Sequence, residues 1–388
     1  MSTPIYFFME TPTASLVYDV LDLMPTPHQR SSLIALLSLF LMADCCTPKD
    51  SKTKSEASLS RFLNVYGWPT RKVASTTRLK IERFIKTYYH SRRGRRPILH
   101  AIVDLTCLEK TGQYKGLEEF VRVYNGKRGV HVAMLYLCIG PWRLPWDFRV
   151  YRGEGTPTPT QLALTLLRHI PSSWQSLFKV RVMTDAGFGS NELIPKAKAM
   201  GFEVLMRISN ARTLSDKRSV KAVKTRGERV YLNDLDTPVS LSWFWCNHEE
   251  KGTREKHFVV TTEALSGAYI VRLGKLRWSI EACFKTLKHR FGWAKFGAGT
   301  KKGMYRWWIL CWLSFLLAHW QHLASGEQTL DWQKTAQQAR KELFPQEVFD
   351  GFLADVEEMK QVAATLGHEI IIQKLRISDG SNELPLAA

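Results

Sequence analysis

The first 97 residues place apolar positions at helical spacing, interrupted by polar segments. An apolar stretch at 31–43 is followed by the polar segment 44–58, and a basic stretch then runs over 59–97. A Gly-Trp-Pro sequence at 67–69 is a turn signal between two helical patterns. The pattern predicts a helical region over 1–97 that contains a helix-turn-helix.

Beyond residue 97 the hydrophobic period shortens to that of strands. β-branched and aromatic residues dominate three runs separated by Gly and Pro, at 98–106, 129–140 and 144–153. A helix, a strand, a helix and a strand are then predicted, at 159–169, 178–185, 191–201 and 202–209. The order β-β-β-α-β-α-β is that of the ribonuclease H-like fold. The sequence therefore predicts an α/β chain built on a ribonuclease H-like mixed sheet.

The second half of the chain departs from this alternation. Three strand-like runs within 210–265, ERVYLND, VSLSWFWCN and KHFVVTT, predict a small antiparallel, β-rich insertion. The apolar run at 305–320 is typical of a core helix. The predicted organisation has four parts: helices at 1–97, a ribonuclease H-like core at 98–209 and 266–325, the insertion at 210–265, and a helical C-terminal region at 326–388.

The charge of the chain favours a polyanionic partner. Its 55 Lys and Arg against 36 Asp and Glu give a formal charge of +19 and a pI near 9.7. Such a field attracts nucleic acid or acidic lipid surfaces, although simply soluble basic proteins share these totals. Basic and aromatic residues concentrate before residue 97 and end in the cluster Arg92, Arg93, Arg95 and Arg96. This density favours phosphate contact over a solvated cationic face, so 1–97 is the predicted DNA-binding domain.

The cysteines and the apolar runs indicate a cytoplasmic protein. Seven cysteines, an odd number, show no C-x-x-C and no paired Cys/His spacing of the zinc type. The N-terminus lacks the basic segment of a secretory signal, and the apolar runs at 33–42 and 307–318 are too short to span a bilayer. We therefore expect a reducing compartment and no membrane partner.

Two aspartates lie where the predicted strands would bring carboxylates together. The first and fourth strands of a ribonuclease H-like sheet are neighbours, which places Asp104 beside Asp185. Two close carboxylates stay ionised only with positive charge between them, and hard divalent cations prefer oxygen ligands. Glu281, delivered by a helix, would complete a site for two metal ions acting on phosphorus. Taken singly, each aspartate is also explained as a helix or turn cap.

The segment RWSIEACFKTLKHRFG at 277–292 is predicted to be one helix that carries an acid between two bases. At about 100° per residue, Arg277, Glu281 and Lys288 fall within roughly 40° of one another. This stripe fits a solvated salt-bridge ladder as well as a phosphate-binding face beside an acid.

These residues resemble the DDE transposases of bacterial insertion sequences, in the cut-and-paste group whose third acidic motif reads Y-x2-R-x3-E-x6-K. IVDLT supplies Asp104, TDAGFGS supplies Asp185, and RWSIEACFKTLK supplies the third motif with Glu281. The resemblance covers roughly 98–320. Two departures stand out: Gly274 replaces the motif's Tyr, with Tyr269 about one helical turn earlier, and Leu105 follows Asp104 where the family has a second Asp.

The resemblance implies a function for each of these residues. Asp104, Asp185 and Glu281 would be the catalytic metal ligands for two Mg²⁺ ions, with Mn²⁺ able to substitute. The protein would cut transposon ends, pass through a hairpin intermediate and join the ends to target DNA as a homodimer, in a bacterial nucleoid. Arg277 and Lys288 would contact phosphates beside the metals.

Three residues outside the acidic motifs have competing interpretations. Trp243 and Trp245 share one face of a predicted strand and would stack a flipped base, although a hydrophobic core of the insertion explains them equally. His131 is interpreted as a structural strand histidine. Two functional alternatives stay open: a ribonuclease H-like nuclease that does not transpose, and a DNA-binding protein with a decayed catalytic core.

Overall fold

The computed structural model describes residues 10–90, 94–112, 114–189, 191–248, 253–297 and 299–373. Four helices precede the sheet: α1 (Glu10–Leu21), α2 (Pro27–Phe40), α3 (Glu56–Asn64) and α4 (Thr70–His90). Side-chain oxygens cap two of them, since Thr26 accepts from the amide of Gln29 at the start of α2 and Ser55 accepts from Ser58 at the start of α3. The predicted turn at 67–69 separates α3 from α4.

The centre of the molecule is a nine-stranded mixed sheet. Its strands are β1 (Ile98–Glu109), β2 (Arg122–Tyr124), β3 (Lys127–Ile139), β4 (Trp142–Tyr151), β5 (Lys179–Thr184), β6 (Glu203–Ile208), β7 (Glu228–Val230), β8 (Val239–His248) and β9 (Thr253–Thr261). The spatial order is β2-β3-β1-β5-β6-β9-β8-β7, and β4 pairs with β3. β1, β5 and β6 run parallel, whereas β1, β3 and β4 form antiparallel pairs. This arrangement confirms the predicted fold class.

The sheet lies between helices, which explains the long apolar runs of its central strands. Every residue of β3 from Gly129 to Ile139 is buried, because helices cover both faces of this strand. The later helices are α5 (Pro159–Leu167), α6 (Ser172–Leu177), α7 (Leu193–Ala199), α8 (Gly267–Arg277), α9 (Ser279–His289), α10 (Lys301–Ser325), α11 (Trp332–Leu343) and α12 (Pro345–Thr365).

The predicted β-rich insertion extends the central sheet. β7, β8 and β9 are antiparallel to one another, as expected, and β9 then pairs with β6, with Leu205 opposite Thr261. This pairing satisfies the edge of β6, which would otherwise expose a row of unpaired backbone groups. The boundaries of the four predicted domains remain a prediction.

The prediction of one helix over 277–292 is wrong, because two helices meet at Trp278. The Trp278 amide donates to the carbonyl of Lys275, and the Glu281 amide donates to the carbonyl of Trp278. Both bonds span three residues, so the chain tightens at the junction and α8 ends before α9 begins. Arg277 and Glu281 therefore belong to different helices.

The apolar run at 305–320 forms the middle of α10, the predicted core helix, and α10 also anchors the N-terminal helices. Arg306, 1% exposed, donates to the carbonyls of Phe62, Leu63 and Trp68 at 2.9–3.1 Å and lies 4.2 Å from the ring of Trp68. The indole of Trp68 stacks on Phe62. One hydrophobic core therefore joins the helix-turn-helix to the rest of the chain.

None of the helices in the described ranges, α10 included, is long and apolar enough to cross a membrane.

Candidate active site

Pairing of β1 with β5 brings the two predicted aspartates together. The last parallel pair is Val103 opposite Thr184, so the next residues on the two strands are Asp104 and Asp185. Neighbouring strands lie about 4.8 Å apart, which places the two carboxyl groups on adjacent backbones. Asp185 directly follows the last residue of β5 and accepts from the amide of Gly187 at 2.9 Å. A Cβ at position 187 would lie 3.2 Å from that carboxylate, so any larger residue there would press on the Asp185 side chain.

Asp104 is the buried member of the pair and is held by a cation. It is 6% exposed, and its Oδ2 accepts from Arg277 at 2.6 Å while its Oδ1 accepts from the amide of Leu105 at 2.8 Å. Burial, together with the charges of Asp185 and Glu281, raises the pKa of Asp104 to about 7 against the opposing effect of Arg277. The ionised form therefore needs a nearby positive charge.

Glu281 joins these acids from a separate element. It is exposed in the first turn of α9, where the helix dipole favours a negative charge. Asp104, Asp185 and Glu281 line one cleft of about 340 Å³, here called the acid cleft. The structure thus gathers the three predicted acids around a common space.

Lys288 reaches the same cleft from the last turn of α9. Its Nζ donates to the hydroxyl of Thr106 at 2.7 Å, two residues beyond Asp104 on β1. Burial lowers the pKa of Lys288. The lysine is therefore fixed next to the acids, whereas Arg277 is already paired with one of them.

A hairpin that hydrophobic periodicity did not reveal forms another wall of the acid cleft. Tyr124 at the end of β2, Asn125 and Lys127 line the cleft. Asn125 and Gly126 both have positive φ, 49° and 74°, which is the geometry of a tight hairpin turn. The Asn-Gly pair in the sequence was the signal that could have identified this hairpin.

His131 also lines the acid cleft, and its contacts are local. Its Nε2 lies 3.2 Å from the carbonyl of Arg122, and its ring packs edge-on against Tyr124 at 5.5 Å. Burial is the main cause that lowers the pKa of His131. These contacts support its interpretation as a structural histidine.

The donor set of the acid cleft fits a hard divalent cation, since it consists of carboxylate oxygens. In the ranges that the structure describes, however, no three Asp, Glu, His or Cys side chains are close enough together to hold a metal ion. In this conformation the positive charge at Asp104 is the guanidinium of Arg277. Coordination of one ion by all three acids would need them to draw together, and the Oδ2 of Asp104 would have to exchange its partner.

Gly274 lies on α8, where other aromatic residues occupy the neighbourhood. A Cβ at this position would meet Val259 at 3.7 Å and Phe244 at 3.8 Å. Tyr269, one turn or so earlier, contacts Arg272 and Arg181, whose guanidinium carbons lie 4.6 and 5.7 Å from its ring. Both distances are ordinary van der Waals contacts, so Ala would fit at position 274.

The two tryptophans of β8 differ in burial. Trp243 is 9% exposed and lies under the ammonium of Lys256 at 4.0 Å. Trp245 is 51% exposed, with the guanidinium of Arg254 5.5 Å from its ring. Only Trp245 of this pair presents the open aromatic surface that base stacking needs.

Half of the predicted basic cluster can be located. Arg92 and Arg93 lie outside the described residues, whereas Arg95 and Arg96 are exposed, and Arg96 donates to the carbonyl of Gln175 at 3.2 Å. Exposed arginines at this position are open to phosphate contact.

Comparison with known proteins identifies one family. A family model described as "Transposase DDE domain" matches residues 95–317. Among solved structures, a cryo-EM structure of piggyBac transposase in a synaptic complex with hairpin DNA is similar over 98% of this chain and 87% of that chain, at 12% sequence identity and a TM-score of 0.48. No curated protein matches the chain.

Proposed function

Because the chain belongs to the DDE transposase family, whose domain model covers more than half of its length, we propose that it cuts the two ends of a transposon and joins them to target DNA. The observation that carries this proposal is the pairing of β1 with β5, which places Asp104 beside Asp185 in a cleft that Glu281 also lines. The family consists of enzymes that act on DNA and use divalent metal ions.

Asp104, Asp185 and Glu281 would hold two Mg²⁺ ions, or Mn²⁺ in their place. Bound divalent ions activate the attacking oxygen and neutralise charge on the phosphoryl group during in-line displacement. The burial of Asp104 makes its ionisation dependent on such a charge. In this structure Arg277 supplies the charge, and ions bound at Asp104 would leave its guanidinium free to contact a phosphate.

Lys288 would hold a phosphate at the rim of the acid cleft. Its Nζ has three donors, of which Thr106 takes one.

The first cut breaks a phosphodiester with water and frees a 3′-hydroxyl. That hydroxyl then attacks a phosphodiester of the opposite strand, which forms the hairpin and releases the flanking DNA with its own 3′-hydroxyl. Trp245 would stack a base displaced at the hairpin.

We place the homodimer contact on α12. Apolar residues recur at intervals of three and four along this helix and its C-cap residue, which is the spacing of a helix-pair seam: Phe349, Phe352, Val356, Met359, Ala363 and Leu366. Four of them are more than half exposed in the single chain, at 51, 57, 53 and 69% for Phe349, Phe352, Met359 and Leu366. Sedimentation of Met359→Lys in complex with DNA ends should show loss of the dimer.

The proposed location is the bacterial nucleoid in the cytoplasm. All seven cysteines are free thiols, as a reducing compartment maintains them, and DNA is the substrate of the family.

The test is cleavage of DNA that carries the ends flanking the gene, with and without Mg²⁺. Asp104→Ala, Asp185→Ala and Glu281→Ala should each abolish cutting and retain end binding, whereas Asp216→Ala, an exposed acid elsewhere, should cut normally. If one of these three variants still cuts DNA with Mg²⁺, the acid replaced in that variant is not part of the site.

The same assay separates the two alternatives. Cleavage without joining of 3′-hydroxyl ends to target DNA would identify a nuclease that does not transpose. End binding with no metal-dependent cleavage by the unmodified chain would identify a decayed DNA-binding protein.

A further inference from the structure

A second cleft, of about 720 Å³, lies where α4, β4 and α10 meet. We call it the α4–α10 cleft. It shares no lining residue with the acid cleft, and its volume is within the range of ligand pockets. None of the roles assigned above uses it.

The rim of the α4–α10 cleft is strongly cationic. Arg71, Lys72 and Arg78 of α4 and Arg149 of β4 line it, and its one carboxylate is Asp147. Arg78 and Arg149 pair with Asp147 at 3.1 and 3.3 Å. Arg71 and Lys72 are exposed at the start of α4, with no ion pair to a described residue. The rim therefore keeps a surplus of positive charge and is complementary to a polyanion.

The floor of the α4–α10 cleft is aromatic and aliphatic. Tyr305 and Ile309 are half-buried there, one turn apart on α10. The ring of Tyr305 stacks on Phe148 of β4, with centroids 5.5 Å apart and planes at 29°. A ring held in this way loses little conformational freedom when a second flat group packs on it.

The α4–α10 cleft is connected to the acids through the sheet. Asp104 on β1 is directly opposite Met134 on β3, and Met134 is directly opposite Phe148 on β4. Two strand spacings separate Asp104 from Phe148, about 10 Å across the sheet. A DNA strand with its reacting phosphate at the acids therefore has nearby nucleotides within reach of this cleft.

We propose that the α4–α10 cleft binds an unpaired nucleotide of the DNA strand, with its base on Tyr305 and Ile309 and its phosphate on Arg71 and Lys72. An unpaired base offers a flat face for stacking, whereas the grooves of a duplex present only base edges. The identity of the polyanion as DNA rests on the proposed function. The position of the site rests on the charge and the floor of the cleft.

The test is equilibrium binding of a labelled oligodeoxythymidylate to the full chain in EDTA, by fluorescence anisotropy at several salt concentrations. Tyr305→Leu should weaken binding about tenfold with an unchanged salt slope, because it removes stacking alone. Tyr305→Phe keeps the ring and should bind as the unmodified chain does. Lys72→Gln should lower the slope of log K against log salt by about 0.7, as the loss of one phosphate contact to a single strand predicts. Lys341→Gln, exposed on α11 and outside both the cleft and residues 1–97, is the matched control.

Several outcomes would overturn the inference. Equal affinity of Tyr305→Leu and the unmodified chain would exclude stacking in the cleft. An effect of Tyr305→Leu on self-association, with none on oligonucleotide binding, would show a protein partner instead. If Tyr305→Leu does not fold, photocrosslinking of the unmodified chain to a 5-iodouracil oligonucleotide decides the matter, and crosslinks confined to residues outside the cleft reject the site. Because EDTA prevents cleavage, a failure here is distinct from a failure of the proposed catalysis.

Discussion

Replacement of Arg277 by Gln should destabilise the protein to a degree that depends on pH. Arg277 is 9% exposed, and its guanidinium donates to the 6% exposed Asp104 at 2.6 Å. Removing one partner of a buried ion pair leaves an uncompensated charge and costs about 3–5 kcal/mol when that charge is present. The full cost is therefore expected only where Asp104 is ionised.

The direction of the pH dependence follows from the pKa of Asp104. Burial raises that pKa from 3.8 to about 7 in the folded chain, so between these values the folded state binds more protons than the unfolded state. Stability therefore falls as pH rises through this window. Arg277→Gln removes the charge that lowers the pKa, so the window extends above pH 7. The deficit of the variant should be small near pH 5 and approach about 3–5 kcal/mol near pH 9.

Urea unfolding of the unmodified protein and of Arg277→Gln from pH 5 to pH 9 measures the difference in stability directly. Arg272→Gln, an exposed arginine on the same helix, should show no comparable pH dependence. The cycle of Arg277→Gln, Asp104→Asn and the double variant isolates the pair, and its coupling energy should be large at alkaline pH and small at acidic pH. A deficit that is equal at both ends of the range would refute the assignment of Arg277 as the counter-charge of Asp104.

Three further predictions concern residues on other elements. Lys288→Ala should lower the salt slope of duplex end binding by about one unit, and lower stability with an unchanged slope would limit its role to holding Thr106. Trp245→Ala should reduce hairpin yield without loss of stability, whereas Trp243→Ala should lower the free energy of unfolding by about 3–5 kcal/mol. Gel analysis of the products measures the hairpin yield, and thermal melts measure the stability. Equal hairpin yields from Trp245→Ala and the unmodified chain would remove Trp245 from the reaction. Arg306→Met should lower the free energy of unfolding by about 3 kcal/mol or more in urea, since buried carbonyls lose charged donors. An unchanged free energy of unfolding would contradict the role of Arg306 in anchoring the N-terminal helices.

Local patterns were sufficient to predict the central fold. The alternation of strand and helix signals over 98–209 predicted the order of the elements, and strand adjacency in that fold predicted the meeting of Asp104 and Asp185. The two helices on either side of the turn at 67–69 and the core helix α10 were also confirmed, because their apolar faces and turn signals are local. The spacing of hydrophobic residues along a strand does not show which strand of the sheet it will pair with, so the pairing of β9 with β6 was not predicted.

The candidate site was harder to predict from the sequence than the fold, because its charged residues interact across long separations in the chain. A helical projection cannot detect the change of hydrogen bonding at Trp278, and this change separates Arg277 from the helix of Glu281. Arg277 and Asp104 are 173 residues apart in the chain, so no spacing rule relates them. Their ion pair could be recognised only once α8 was placed against β1.

The shared core also bears on how recognition and chemistry are divided between residues 1–97 and the remainder. The turn before α4 is fixed by Arg306 of α10, and α4 and α10 are two walls of the α4–α10 cleft. A fragment ending near residue 97 loses Arg306 and the apolar partners of its helices, so weak DNA binding by that fragment would report poor folding as readily as a lack of recognition.

The informative comparison keeps the chain whole and replaces exposed cations of α4, Arg83 for example, one at a time. A change in preference for the element's own ends over random duplex, with cleavage chemistry intact, would place sequence recognition on α4. Because α4 is packed on the same core as the acids, DNA held there is also held in a fixed position relative to the acid cleft.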